Sequence, residues 1–339
     1  MSPRAHWTLV FRLRLEEFVA ALFLLPTTWL TLTAHAYVAR EGIQGARYPG
    51  GTVRLGVALV IIAGLWAARR RWPASRLVQG LREVLPFLTC ILIYTNLHDT
   101  IGFVNPHDVH DRLVAFDQWL FGLQPCVWAQ QFITRGRTEL MSFFYVNFAW
   151  LAPSTPVILL ALGRRRAFRA ATVGILTCFF MGYFLYVLFP AAPPRLVLRS
   201  QFTVSLAGYP QGFAGLGRGA IDLLPVDSRA AFPSLHTAVS LVVLVFAWRH
   251  VRTWFWLALP LVLGLWVSTI YLRHHYVADL LAGWALAPLA IWVAPRLDAW
   301  WALRQRALGV VPALGAGPEA ETGGAGAPPT ESAATSSPA

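Results

Sequence analysis

The sequence predicts an all-α fold, a polytopic membrane bundle of about eight transmembrane helices, and three observations lead to that prediction. Charged residues make up only 13% of the chain and apolar residues 56%, whereas a soluble domain carries roughly 25% charged residues. The apolar residues fall in runs, several of which approach the ~20 residues a helix needs to cross a hydrocarbon core. Those runs lack the two-residue alternation of a barrel strand, and lipid offers no partner to backbone polar groups, so helix is the remaining choice.

The segments are expected at 17–38, 52–68, 84–104, 139–162, 167–189, 236–250, 253–272 and 276–294. The first contains Ala34-His35-Ala36, which resembles a signal-peptide cleavage site. Its long leader with Glu16 and Glu17 instead favours a retained helix. Residues 105–138 form a loop of mixed polarity, with an amphipathic stretch from Leu113 to Phe132 that is expected to lie on the membrane. Residues 196–232 form a second, glycine-rich loop that ends in charged residues. From about Val311 the tail is Ala, Gly, Pro, Ser and Thr and is expected to be disordered. The predicted organisation is a leader with two extra helices (1–83), a six-helix core (84–295) and a C-terminal segment (296–339).

The formal net charge of +12 comes from arginine, with no lysine present. Because the arginines lie between apolar segments, they set topology rather than bind nucleic acid. With the N-terminus in the cytoplasm, more than half of them fall in the inner segments, including Arg69, Arg70, Arg71, Arg164, Arg165 and Arg166. The C-terminus is then cytoplasmic too. Trp72, Trp254, Trp256, Tyr271, Trp300 and Trp301 suit an interfacial belt. An Arg-, Ala-, Gly- and Pro-rich chain without lysine points to a GC-rich bacterial genome and a bacterial plasma membrane. Cys90, Cys126 and Cys178 are too few and too scattered for a disulfide framework or a zinc site.

Three short polar stretches interrupt the last segments, all at the extracytoplasmic side: Phe189 to Arg195, Phe232 to His236, and Arg273 to Asp279. The sixth and seventh segments run in and out, each roughly 22–30 Å long, which returns His275 to the level of His236. A neutral imidazole attacks phosphorus well when a partner fixes its tautomer. Asp279, four residues after His275, shares its face and can take the ring N–H. His236 can serve as acid and base. Arg195 and Arg273 offer planar forks to phosphate oxygens, and Ser234 adds a donor at a helix start, where anions are favoured. Read singly, each of these residues also fits a structural role.

Pro233-Ser234-Leu235-His236 and His275-Tyr276-Val277-Ala278-Asp279-Leu280-Leu281-Ala282-Gly283 resemble the second and third motifs of the type-2 phosphatidic acid phosphatase superfamily, which includes vanadium haloperoxidases. The resemblance covers about residues 84–294. It implies that His275 is the nucleophile, that Asp279 orients it, that His236 is the acid/base, and that the reaction needs no metal or other cofactor. Three departures stand out. Leu235 replaces the usual glycine, Thr269 stands where the third motif has arginine, and Pro193-Pro194-Arg195 lacks the preceding lysine. Arg273 is a candidate to restore the lost charge. These departures, with the stretch Asp117-Gln118-Trp119-Leu120-Phe121-Gly122 through Pro125, resemble the branch containing inositol phosphorylceramide synthases. That branch moves a phosphoinositol head group from a phospholipid to another lipid alcohol.

The expected substrate is therefore a membrane phospholipid or lipid phosphate, with a lipid or polyol alcohol as a candidate acceptor; the oligomeric state is open. Three functions remain: a phosphotransferase, a phosphatase releasing phosphate to water, and a non-catalytic lipid transporter or binding protein on the same scaffold. Other polar residues have weaker expectations. His98 and Asp99 are candidates for the pocket lining or for a structural pair. His107, Asp108, His110 and Asp111 read as solvated loop residues rather than metal ligands. Asn147 is expected to bond to a neighbouring helix. Asp222 and Asp227 could order the loop before the second motif.

Overall fold

A computed structural model describes residues 10–41, 49–72, 75–206 and 229–312. Asp222, Asp227 and the tail from residue 313 lie outside the described residues. The elements are α1 (Leu15–Glu41), α2 (Pro49–Arg71), α3 (Arg76–Val104), α4 (His110–Phe121), α5 (Arg135–Val146), α6 (Phe148–Ala161), α7 (Arg165–Leu188), α8 (Leu235–His250), α9 (Arg252–Tyr271) and α10 (Val277–Ala307). This is the expected all-helical bundle. Among the described residues, α7, α9, α10 and the Leu15–Thr33 part of α1 are each long and apolar enough to cross a membrane alone, and α5 with α6 makes a fifth bent crossing. Leu85–Tyr94 within α3 and the whole of α8 are shorter apolar helices.

The segment expected at 139–162 begins earlier, at Arg135, and bends by 40° at Asn147. The Asn147 amide donates to the Phe143 carbonyl (2.6 Å) instead of reaching a neighbouring helix, so side chain and backbone compete for one acceptor at the break. The last segment runs on to Ala307, well past its predicted end, because its far end has a packing partner. There Gln305 donates to the carbonyls of Phe11 and Leu13, and Trp301 donates to Leu13. Trp301 is therefore buried rather than interfacial, and Tyr271 is likewise buried, bonded to Thr138.

Helix α7 is the hub and packs against α3, α6, α8 and α10. Its buried Ile175, Leu176, Cys178 and Tyr183 sit in the main apolar core with Val239, Val242 and Val243 of α8 and Leu265 of α9. Large apolar side chains on the outer faces, such as Leu25, Trp29, Trp256, Leu257 and Trp292, stay exposed, as lipid-facing positions require. Ionic contacts tie α1 to the rest: Arg169 of α7 is buried between Glu16 and Asp298, Arg82 of α3 pairs with Glu17, and Arg14 pairs with Glu83. A smaller apolar core, with Leu113, Cys126, Ala191, Ala231 and Tyr276, packs α4 and the turn after it against the three polar stretches.

Candidate active site

Each polar stretch is positioned by backbone chemistry. Phe189 precedes proline and leaves the helical region, which ends α7. Ala191 then pairs with the stretch before α8: its N–H donates to Arg229 (3.0 Å), and its carbonyl accepts from Ala231 (3.1 Å). Ser234 caps α8, its Oγ accepting the Thr237 N–H, while its own N–H donates to the Asp279 carbonyl (3.0 Å). The first turns of α8 and α10 approach so closely that a Cβ on Gly283 would lie 2.6 Å from the Ser234 carbonyl oxygen. Only glycine permits that approach. After α9, Arg273 adopts a left-handed conformation (φ 65), and the resulting turn points the N–H groups of His274 and His275 at the Thr269 carbonyl (2.8 and 3.2 Å). Thr269 thus anchors the histidine turn through its backbone. The Arg273 carbonyl in turn accepts the Arg195 N–H (3.0 Å).

This framework brings His236, His275 and Asp279 together. His275 Nδ1 lies 3.0 Å from Asp279 Oδ2, which also accepts the Tyr276 N–H (2.9 Å). The carboxylate therefore holds the proton on Nδ1 and leaves a lone pair on Nε2. His236 Nδ1 is 3.1 Å from that Nε2. Next to them, Arg195 donates from Nη1 to His274 Nδ1 (2.8 Å), which places the His274 proton on Nε2. Tyr145 of α5 stacks on His274 (ring centroids 4.5 Å apart) and leans on His236 (4.9 Å), and Phe148 of α6 covers His236 from 4.6 Å. The bend at Asn147 sets both rings over the imidazoles. Burial, and then the positive charge of Arg195, push His275 well below the ordinary histidine value, so this ring is neutral at pH 7. Burial and Arg195 shift His274 the same way.

Two expected phosphate ligands are placed differently. The Ser234 side chain is fully buried and engaged with Thr237. The Arg273 guanidinium lies over the Phe202 ring (4.0 Å) and donates to the Val204 carbonyl (2.5 Å), because the left-handed turn carries it toward that segment. Arg195 remains beside the histidines. The side chains of His98 and Asp99, within α3, lie outside the described residues. His110 sits between Asp108 (3.7 Å) and Asp111 (3.8 Å), and Asp108 also faces Arg229 (3.6 Å).

Sequence reasoning missed four neighbours of this site. His274 had a visible cue in its position beside His275. Asp117 had one in being an acidic residue four places after Leu113, on the buried face of α4. Tyr145 and Phe148 had none, since aromatic residues in an apolar run carry no directional information.

The model of the PAP2 superfamily matches residues 111–293, more than half of the chain, and includes all three polar stretches. A phosphoinositol dihydroceramide synthase of Bacteroides thetaiotaomicron is 37% identical over 122 residues, covering 32% of this chain and 39% of that protein. An inositol phosphorylceramide synthase of Candida albicans is 35% identical over 117 residues, covering 30% and 24%. A PA-phosphatase related-family protein of Dictyostelium discoideum is 28% identical over 110 residues, covering 32% and 20%. The chain thus aligns with less than half the length of each of these relatives. No solved structure matches it. The matched family model, laid over a helical bundle that presents these three stretches together, shows that this chain belongs to the PAP2 superfamily.

Proposed function

We propose that this protein is a lipid phosphotransferase that moves a phosphate-linked head group, with phosphoinositol as the leading candidate, from a phospholipid to an alcohol. The observation that carries this reading is the relay Asp279–His275–His236, with a buried contact of 3.0 Å and a partly buried one of 3.1 Å. In the first step His275 Nε2 attacks phosphorus and the bond to the leaving alkoxide breaks. The negative charge of the bound phosphate favours protonated His236, which gives its proton to the leaving oxygen. In the second step the acceptor hydroxyl attacks the phosphohistidine, its proton returns to His236, and His275 is restored. Asp279 holds the Nδ1 proton and offsets the positive charge that develops on the ring. Arg195 meets the phosphate oxygens and supplies the cationic charge, so the reaction is proposed to need no metal.

A near-attack geometry needs roughly 3–3.5 Å between reacting atoms. Two nitrogens 3.1 Å apart leave no room for a phosphoryl group between them. His236 therefore caps the nucleophile at rest, and substrate entry parts the rings.

Hydrolysis would use the same residues, with water as the acceptor. Transfer is favoured by the rings of Tyr145 and Phe148, which wall His236 with apolar surface, and by the synthase names of two relatives. We further propose a bacterial plasma membrane location, with both termini cytoplasmic and the site on the outer face. The test is purified protein in vesicles, a panel of phospholipids, each with and without a lipid or polyol alcohol, and product detection by mass spectrometry. Head-group transfer that depends on the alcohol supports the reading. Phosphate released at the same rate without alcohol would make it a phosphatase, and no turnover together with no vanadate binding would favour a transporter.

A further inference from the structure

The proposed reaction does not use the stretch Asp117 to Pro125. In the structure Asp117 is 1% exposed. Its two carboxylate oxygens accept the backbone N–H groups of Val277 and Ala278, each at 2.9 Å. Those are the first two residues of α10, and such N–H groups have no partner within their own helix. Helix starts are commonly capped by a residue just before them. Here the cap comes from a separate helix 160 residues away, whose opposite face exposes Trp119. Leu113, one turn earlier on α4, joins Tyr276 and Ala278 in the smaller core, so apolar packing and the carboxylate act on the same turn. His275 immediately precedes that turn and Asp279 lies within it.

We infer that Asp117 is a positioning residue for the transfer reaction, fixing the first turn of α10 so that Asp279 meets His275 Nδ1 and placing a negative charge at the helix start two residues after the imidazole that becomes positive. The inference rests on the proposed function of this site. It requires no contact between Asp117 and substrate. It also gives α4 a role: the helix whose outer face is expected to rest on lipid holds the catalytic turn from its inner face. The ionisable groups around the arrangement include Cys126 and Tyr276 beside Asp117, with Arg273 and Asp111 near those two, Asp279 one turn along with Tyr186 near it, and Arg195, His236 and His274 around His275.

The experiment compares wild type with Asp117→Asn, Asp117→Glu and His275→Ala, measuring kcat, KM, the pH profile and thermal unfolding in detergent. Asn keeps one acceptor but turns an NH2 toward the second N–H. Asp117→Asn is expected to lower kcat by about 10–100-fold, with KM changed by less than about threefold, in line with the sensitivity of catalysis to small misplacements. Without the negative charge, the α10 N-terminus opposes imidazolium formation, so the acid limb of the profile moves to lower pH. Asp117→Glu keeps the charge, so its limb is expected to stay at the wild-type position while the extra methylene still lowers kcat. If Asp117→Asn does not fold, Asp117→Glu decides: wild-type kcat would overturn the inference, and so would a displaced limb. Wild-type kcat and an unmoved limb in folded Asp117→Asn would overturn it as well. An active His275→Ala would instead sink the proposed function, which keeps the two failures apart.

Discussion

A neutral imidazole attacks phosphorus only while its far nitrogen keeps a proton, and Asp279 meets that condition for His275 from within the same turn. In the proposed reaction, His275→Ala and His236→Ala should each lower kcat/KM by more than about 10³-fold, with helix content by circular dichroism unchanged. The pH profile follows from the shift at His275. Its value is held below the ordinary 6.5, so the reactive neutral form persists as pH falls through 6.5 and is lost only further into acid. The acid limb of kcat/KM should therefore lie below pH 6.5, and a limb above it would mean that the ring is not held neutral. Gly283→Ala is a packing test at the same scale. A methyl group 2.6 Å from the Ser234 carbonyl forces α8 and α10 apart, which should cost about 1–3 kcal/mol in detergent unfolding and reduce turnover with it.

At the scale of elements, the largest commitment outside the site is the buried Arg169. It donates to Glu16 at 2.7 and 2.9 Å and to Asp298 at 2.6 and 3.1 Å, which joins α1, α7 and α10. Arg169→Ala would leave buried Asp298 without its cation and Glu16 with only Arg14 at 4.0 Å, and should destabilise the protein by about 3–5 kcal/mol, read as a fall in thermal unfolding temperature. An arginine's place along the chain bears on topology but not on pairing, and the partners of Arg169 are 129 and 153 residues away. The same limit runs through the elements. Apolar runs gave most helix ends to within a few residues, since lipid permits only one backbone solution, but α3 starts at Arg76, where Ser75 caps it, rather than at 84. The break at Asn147 depends on one side-chain amide, and the extension of α10 depends on contacts with residues 11–13; no local pattern reports either. At the site, the spacing of His275 and Asp279 made their contact legible. The detours of Arg273 and Ser234 were not, because a left-handed turn and a helix cap decide them.

At the scale of the whole molecule, the three polar stretches converge because α8 and α9 run away from them and back, while α7 supplies the surface on which α8 and α10 pack. The arginine distribution supports the proposed orientation, with the histidines at the outer face and the end of α10 at the inner face. Cysteine labelling checks this orientation. A membrane-impermeant maleimide added to intact cells should label Asp111→Cys, an exposed position beside the site, and should label Arg304→Cys only after permeabilisation. The reverse pattern would turn the molecule over and put the lipid substrate in the other leaflet.

The account turns on a covalent bond between the head-group phosphate and one nitrogen. The most direct measurement is mass spectrometry of the purified protein, quenched in alkali shortly after mixing with a phospholipid donor and no acceptor. The proposed mechanism predicts a phosphate-linked adduct on the peptide carrying His275, which disappears in His275→Ala and discharges when alcohol is added. Product formation without any adduct at residue 275, or an adduct that persists in His275→Ala, would contradict it.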